Sequence, residues 1–490
     1  MIAEQKPLLN NNDNTNKLSL FFATLCIIDV FGVYPIITLP GAVIKCGWLG
    51  VPLVYGMLGF QVYTASLLGK AWIIAEQIAP EQMEQQNRYP YAALASLTLG
   101  NSWKRIIAFL LDFTVFAAGI PNLIIAAQNL EELGVKTYSF NVSYCYWILI
   151  FGIAQIPIMW LGSPKDLRLI SGISVLMVIF SSIFINLCII YDYRDPKIDI
   201  TKLPTIRFDD DMLIIHNLLR TYGIIAFQFD VHPLLLTIQV DMEKRSKIIH
   251  AIIYAFIFST CLFTTTAILA YWHYGKFVDY NILQTLPLNI WLYFVVIMVT
   301  MQLCFTSVIY NTALFQDIED HYHIPREFTY KRCFARTTLM LLSIVLAESV
   351  PRFDIVMGLI GGTFTGPLMF ILPAYFFINL RAIQHQNPQF NNSSNRRNNH
   401  YDSIKIFKFN FYKKNDLLIM DNNGSTHGNN FVAQQLASIE SKCNYFVQYL
   451  LPRFVILFGI ILTVTTTINT VHEIYNYVHY QSPCISHIFD

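Results

Sequence analysis

Of the 490 residues, 54% are hydrophobic and only 13% charged, mean hydropathy is +0.45, and the formal net charge is +1. Soluble domains average about 25% charged residues, so the composition excludes an ordinary soluble domain and points to an all-α, polytopic membrane protein. The balanced charge offers nothing to a nucleic acid, and the nine cysteines lack CxxC spacing, so neither a metal site nor a disulfide framework is indicated.

Residues 1–17 are polar and Asn-rich, without a secretory pattern, and read as a disordered cytoplasmic N-terminus. Within them Glu4, Leu8 and Leu9 form an acidic dileucine pattern suited to cytosolic sorting adaptors. It points to an endosomal or lysosomal membrane, with a vesicle or plasma membrane as the alternative. Eleven apolar runs of roughly membrane-crossing length then follow: 18–44, 51–74, 106–127, 145–161, 169–191, 213–240, 248–273, 288–310, 334–346, 355–378 and 446–471. The ninth is short, and Cys333 and Arg336 fray its start. Residues 18–381 form a ten-helix core. Residues 382–445 are polar and Asn-rich and read as a disordered cytoplasmic loop; 446–471 is an eleventh helix, and 472–490 an external or lumenal tail.

Orientation follows from Lys and Arg, which mark cytoplasmic loops. With the N-terminus in the cytoplasm, the basic clusters at 244–247, 326–336 and 396–414 all fall inside, and 193–211 is the one external loop with several bases. The sequon at Asn141 then lies outside, where it can be glycosylated. Cys145 and Cys484 share that side, and the sequence leaves their pairing open.

Span six, at 213–240, holds Asp230, His232 and Pro233 near mid-membrane. An ionisable group there costs at least a few kcal/mol, and proline interrupts the helix. Broken backbone at this depth is tolerated only against protein or a water-filled cavity. Span one is interrupted in the same way by Asp29, Gly32, Pro35, Pro40 and Gly41. Five crossings separate the two spans, so two five-helix units starting at spans one and six are inverted relative to each other. Inverted repeats whose first helices break at the midplane are the architecture of many secondary transporters. The plainer alternative is two unrelated kinks whose polar groups satisfy each other.

Three segments resemble the amino acid/auxin permease family. Span one carries Leu39, Pro40, Ala42, Gly47 and Trp48; span six carries Phe227, Phe229, Asp241 and Met242; span ten carries Val350, Pro351, Phe353, Gly358, Gly361, Leu372 and Pro373. The PKDLRLISGISVL stretch at 164–176 is similar to the vesicular inhibitory amino acid transporters, and proton-coupled amino acid transporters are the other near group. The resemblance implies the inverted-repeat fold of the bacterial leucine-transporter type plus one extra helix. It also implies a symporter or antiporter with an amino acid substrate, no cofactor beyond a coupling ion (H+ or Na+), and no enzymatic activity. Where the family places Gly-x-Gly before the Leu-Pro, this chain has Gly32-Val33-Tyr34-Pro35, which leaves the substrate class open.

A zwitterion in such a site needs donors for its carboxylate and acceptors for its ammonium. Helix N-terminal N–H groups suit the carboxylate, at Gly32, Val33 and Tyr34 or at Gly41–Val43. Unwound carbonyls and Asp230 suit the ammonium, and Phe227 and Phe229 are candidates to wall the side chain. For proton coupling His232 ranks first, since an ordinary imidazole changes charge between pH 5 and 8, followed by Asp230 and Asp29. Asp112, Asn122, Gln302, Ser307 and Asn311 are weaker candidates, more often helix–helix hydrogen bonds. Glu348 and Asp354 are expected to be solvated. Two other functions fit the same residues: an amino acid receptor that keeps a transporter fold, and an intramembrane enzyme using Asp29 and Asp230.

Overall fold

A computed structural model describes residues 17–86, 89–138, 144–160, 164–193, 211–322, 324, 328–349, 353–386 and 446–477. The dileucine segment, Asn141, the external loop 194–210, Pro351, the linker at 387–445 and the tail with Cys484 lie outside these residues. Cys145 is disulfide-bonded.

The described chain is helical almost throughout. Span one is divided into α1 (Leu20–Phe31), α2 (Tyr34–Ile37) and α3 (Leu39–Lys45). Span two is α4 (Gly50–Ile78), followed by the short α5 (Pro80–Gln85) and α6 (Pro90–Leu99). Spans three, four and five are α7 (Asn101–Tyr138), α8 (Tyr144–Trp160) and α9 (Pro164–Ile190). Span six comprises α10 (Asp211–Gln228) and α11 (His232–Asp241), and span seven is α12 (Ile248–Tyr274). The short α13 (Ile282–Thr285) leads to span eight, α14 (Ile290–His321), and span nine, α15 (Tyr330–Ser349). Span ten runs through α16 (Phe353–Leu359), π-helical turns at Ile360–Thr365 and Pro367–Ile371, and α17 (Leu372–Gln386). Span eleven is α18 (Leu451–Tyr477).

Helices occupy all eleven expected positions, but eight of the described ones are long and apolar enough to cross a membrane. Span one falls short because it is in pieces, α8 because it has 17 residues, and α15 because it carries Lys331, Arg332 and Arg336. Two expectations about span nine are corrected. Arg336 does not fray it: the side chain is 1% exposed, and its Nε donates to Glu319 of α14 at 2.7 Å. The ion pair lets a guanidinium sit among apolar neighbours, so the helix continues through it. Glu348, expected to be solvated, is 5% exposed.

The packing repeats with a shift of five spans. Span one packs on spans five and seven; span six packs on ten and two. Span five packs on seven, and ten on two, while the pairs one–six, two–seven, three–eight and four–nine map onto themselves. The two broken helices also run in opposite directions. The start of span one meets the end of span six, where the Leu18 N–H donates to the Asp241 carbonyl at 2.8 Å and the Glu243 N–H to the Leu18 carbonyl at 2.9 Å. At the other end, Cys46 lies 3.0 Å from Thr221 near the start of span six. Outward-facing Phe109, Ile150, Trp272 and Leu457 are exposed, as befits a surface solvated by lipid.

Candidate functional site

Both first helices of the repeats are broken. At Gly32 the backbone takes φ +59° and ψ −148°, a region that a Cβ disfavours. A Cβ there would also stand 2.8 Å from Gln302 Nε2. In span six the unwound stretch is Phe229–Val231. The prolines begin helices rather than kink them. Pro35, Pro40 and Pro233 each occupy the first turn of α2, α3 and α11, where the missing N–H would have had no partner.

Between the breaks lies a small, mostly enclosed cavity. Five spans contribute to it: Val30 and Tyr34 from span one, Thr114, Ala118 and Asn122 from α7, and Phe227, Gln228 and Asp230 from span six. Thr306 and Tyr310 come from α14, and Ile360 and Thr365 from span ten. Among the described lining residues Asp230 alone carries a formal charge. Its Oδ2 accepts from Thr365 at 3.1 Å, and its backbone carbonyl accepts from the Tyr310 hydroxyl at 3.1 Å.

His232 stands behind Asp230, fully buried, with Nδ1 3.6 Å from Asp230 Oδ1. Its Nε2 is 3.0 Å from the Thr64 hydroxyl of α4. That hydroxyl points to the Phe60 and Gln61 carbonyls at 3.1 and 3.2 Å, which spends its proton and makes its oxygen an acceptor. The ring therefore carries hydrogen on Nε2, and in the neutral ring Nδ1 turns a lone pair to the Asp230 carboxyl. Neither Nδ1 nor Oδ1 has another partner.

Asp29 is held apart from this pair. Its Oδ1 accepts from Ser174 of α9 and, at 3.0 Å, from Thr306. Gln302 orders the cluster: its Oε1 accepts the Val33 N–H freed by the helix break at 3.3 Å, and its Nε2 donates to Thr306 at 2.5 Å and Ser174 at 3.3 Å. The Asp29 Oδ2 atom is buried without a partner. The Tyr34 hydroxyl donates to Asn122, and Asn122 Nδ2 donates to Ser307 at 2.7 Å.

Of the residues singled out in the sequence, Tyr34, Phe227 and Asp230 line the cavity, and Gly32, Val33, Asp29 and His232 flank it. Gly41 and Phe229 do not. Gly41 is a packing position in α3, where a Cβ would lie 2.0 Å from the Asp279 carbonyl. Phe229 sits at the unwound turn, where it stacks on Phe256 and packs at a tilt against Phe31, with centroids 5.7 and 5.1 Å away. Nothing in the residue pattern singles out Thr64, Ser174, Gln228, Thr306, Tyr310 or Thr365. Hydroxyls and amides are common in membrane helices, and only the packing brings these together.

A family described as transmembrane amino acid transporter protein matches residues 17–392. Amino acid transporter AVT1D of Arabidopsis thaliana is 24% identical over 365 residues, 70% of this chain and 60% of that protein. AVT1E from the same plant is 24% identical over 375 residues, 72% and 65% of the two chains. Lysine histidine transporter-like 6, also from Arabidopsis thaliana, is 25% identical over 261 residues, 48% and 55% of the two. The chain thus spans less than two thirds of the length of each of these curated relatives. Among solved structures, the substrate-bound outward-open state of a Na+-coupled sialic acid symporter aligns with a TM-score of 0.42 and 10% identity, over 73% of this chain and 79% of that one.

Proposed function

The chain belongs to the transmembrane amino acid transporter family, and on that premise we propose that it is a proton-coupled secondary transporter carrying amino acids across a membrane. The observation that carries this reading is the cavity itself. It lies where two inverted helices unwind, with the Asp230 carboxyl in its wall. An amino acid ammonium takes Asp230 and the carbonyls of the unwound turn. The carboxylate takes the start of α2, where the Tyr34 N–H at the first helical position has no intrahelical acceptor.

Asp230 and His232 form a pair that holds one proton between them, either as carboxylic acid facing neutral imidazole or as carboxylate facing imidazolium. Substrate ammonium arriving at Asp230 favours the carboxylate and so shifts the shared proton onto His232, which makes the position of that proton responsive to binding. Asp29 is a second titratable group on the same pathway, tied to spans one, five and eight. Its partners and those of Asp230 are different residues, which supports transport rather than catalysis by an aspartyl dyad.

The test is uptake of a radiolabelled amino acid panel into proteoliposomes with imposed proton or sodium gradients. Uptake driven by a pH gradient is expected. Binding without flux would favour a receptor, and a strict sodium requirement would remove the proton. His232→Ala should flatten the pH dependence of uptake while the protein remains monodisperse. A pH profile identical to that of the unmodified protein would remove His232 from coupling.

A further inference from the structure

The cavity wall is rich in polar groups, and each of its hydroxyls spends its hydrogen inside the protein, as does one hydrogen of each amide. Thr114 donates to the Leu110 carbonyl at 2.7 Å, Tyr34 to Asn122, Asn122 to Ser307, and Thr306 to Asp29. Tyr310 and Thr365 both donate to Asp230. Gln228 completes the set, since its Nε2 donates to the Thr38 hydroxyl. That hydroxyl in turn donates to the Tyr34 carbonyl at 3.2 Å, so its oxygen can only accept. The amide of Gln228, a residue of the cavity wall, is thereby fixed in one orientation, with Nε2 on span one and Oε1 turned away from Thr38. This residue is 2% exposed, and its Oε1 has no partner. No Lys or Arg is among the described lining residues.

A buried acceptor without a donor is unfavourable, and a ligand that supplies the donor gains what the empty site loses. A ligand that brings a second acceptor meets Gln228 Oε1 and the Asp230 carboxyl with nothing to offer either. Resting on the transport reading above, we propose that Gln228 is a specificity-determining residue. It selects amino acids whose side chain ends in an N–H donor and rejects those whose side chain ends in a carboxylate.

Glutamine, glutamate and methionine are close in size and differ at the side-chain end, so they isolate this property. The experiment measures competition by each against a bound radiolabelled amino acid, and uptake of each, on one preparation of the full chain. Glutamine should outcompete glutamate by about tenfold or more, and methionine should fall between them. Gln228→Met should remove the advantage of glutamine over methionine. Gln228→Glu, which keeps the size and adds a charge, should shift preference toward lysine. Glutamate binding as well as glutamine, or selectivity unchanged in both variants, would overturn the proposal whether or not flux is seen. Binding with the expected order but without flux would sustain the selectivity and overturn transport. Failure of every amino acid to bind would overturn both.

Discussion

Arg336 shows how a charged residue in an apolar run misleads. Read alone, it ends a helix; in the fold its guanidinium meets Glu319, donates to the Met159 carbonyl at 2.8 Å and covers the Phe315 ring at 4.9 Å. Arg332 also meets Glu319, at 3.2 Å, but Arg336 is the more deeply buried of the two cations, and removing it leaves a buried carboxylate under-compensated. Arg336→Ala should therefore destabilise the protein by about 3–5 kcal/mol, read as a lower melting temperature in detergent. The double variant Glu319→Gln/Arg336→Met should recover much of the loss, because it removes both of the most deeply buried charges and takes the Glu319 partner only from the more exposed Arg332. Recovery of none would mean that packing, not charge, dominates there. Asp29, Asp230 and His232 were legible for the converse reason: an ionisable group in mid-membrane demands an explanation. Their partners were not, because Thr64, Ser174, Thr306 and Thr365 cost a helix little and carry no signal until neighbouring spans are placed beside them.

At the scale of elements, the two breaks in spans one and six could be read from proline, glycine and aspartate. The π-helical course of span ten could not. Of the span-ten glycines Gly358, Gly361 and Gly362, two mark close approaches of neighbouring helices. A Cβ at Gly361 would lie 1.9 Å from the Gly223 carbonyl of α10, and one at Gly362 would lie 2.2 Å from Thr466 of α18; at Gly358 it would meet nothing. Span ten is thus wedged between α10 and the extra helix, which fixes the position of Thr365 against Asp230. Gly361→Ala should push α10 and span ten apart, weaken substrate binding by about tenfold or more, and lower the melting temperature, since overpacking costs about 1–3 kcal/mol. Gly358→Ala, with open space around its new methyl, is the control and should change neither. Equal effects from both would show that glycine acts here through backbone freedom and not through close approach.

For the whole molecule, the shift-by-five packing makes the ends of the broken helices the natural places to open and close. At one end of the bundle span one is bridged to span six through Leu18 and Met242, and Arg245 beyond α11 pairs with Glu76 of α4. On the other side, the segment carrying Asp279, Tyr280 and Asn281 lies over the end of span one. There Lys45 Nζ stands 3.4 Å from the Tyr280 ring centroid, and Asn281 donates to Asn129 of α7 at 2.7 Å. The cavity lies between two sets of ties, and alternating access requires that one set release while the other holds. The Leu18–Met242 bridge is the smaller: two backbone hydrogen bonds outside any sheet. A Leu18→Cys/Met242→Cys pair, at positions adjacent across a bridge and so within disulfide reach, should form a cross-link under mild oxidation. That cross-link should abolish flux while amino acid binding from the opposite side persists, and reductant should restore flux. Each single cysteine variant should transport through the same treatment. Undiminished flux in the cross-linked protein would mean that spans one and six move as one body and that the path at this end opens elsewhere.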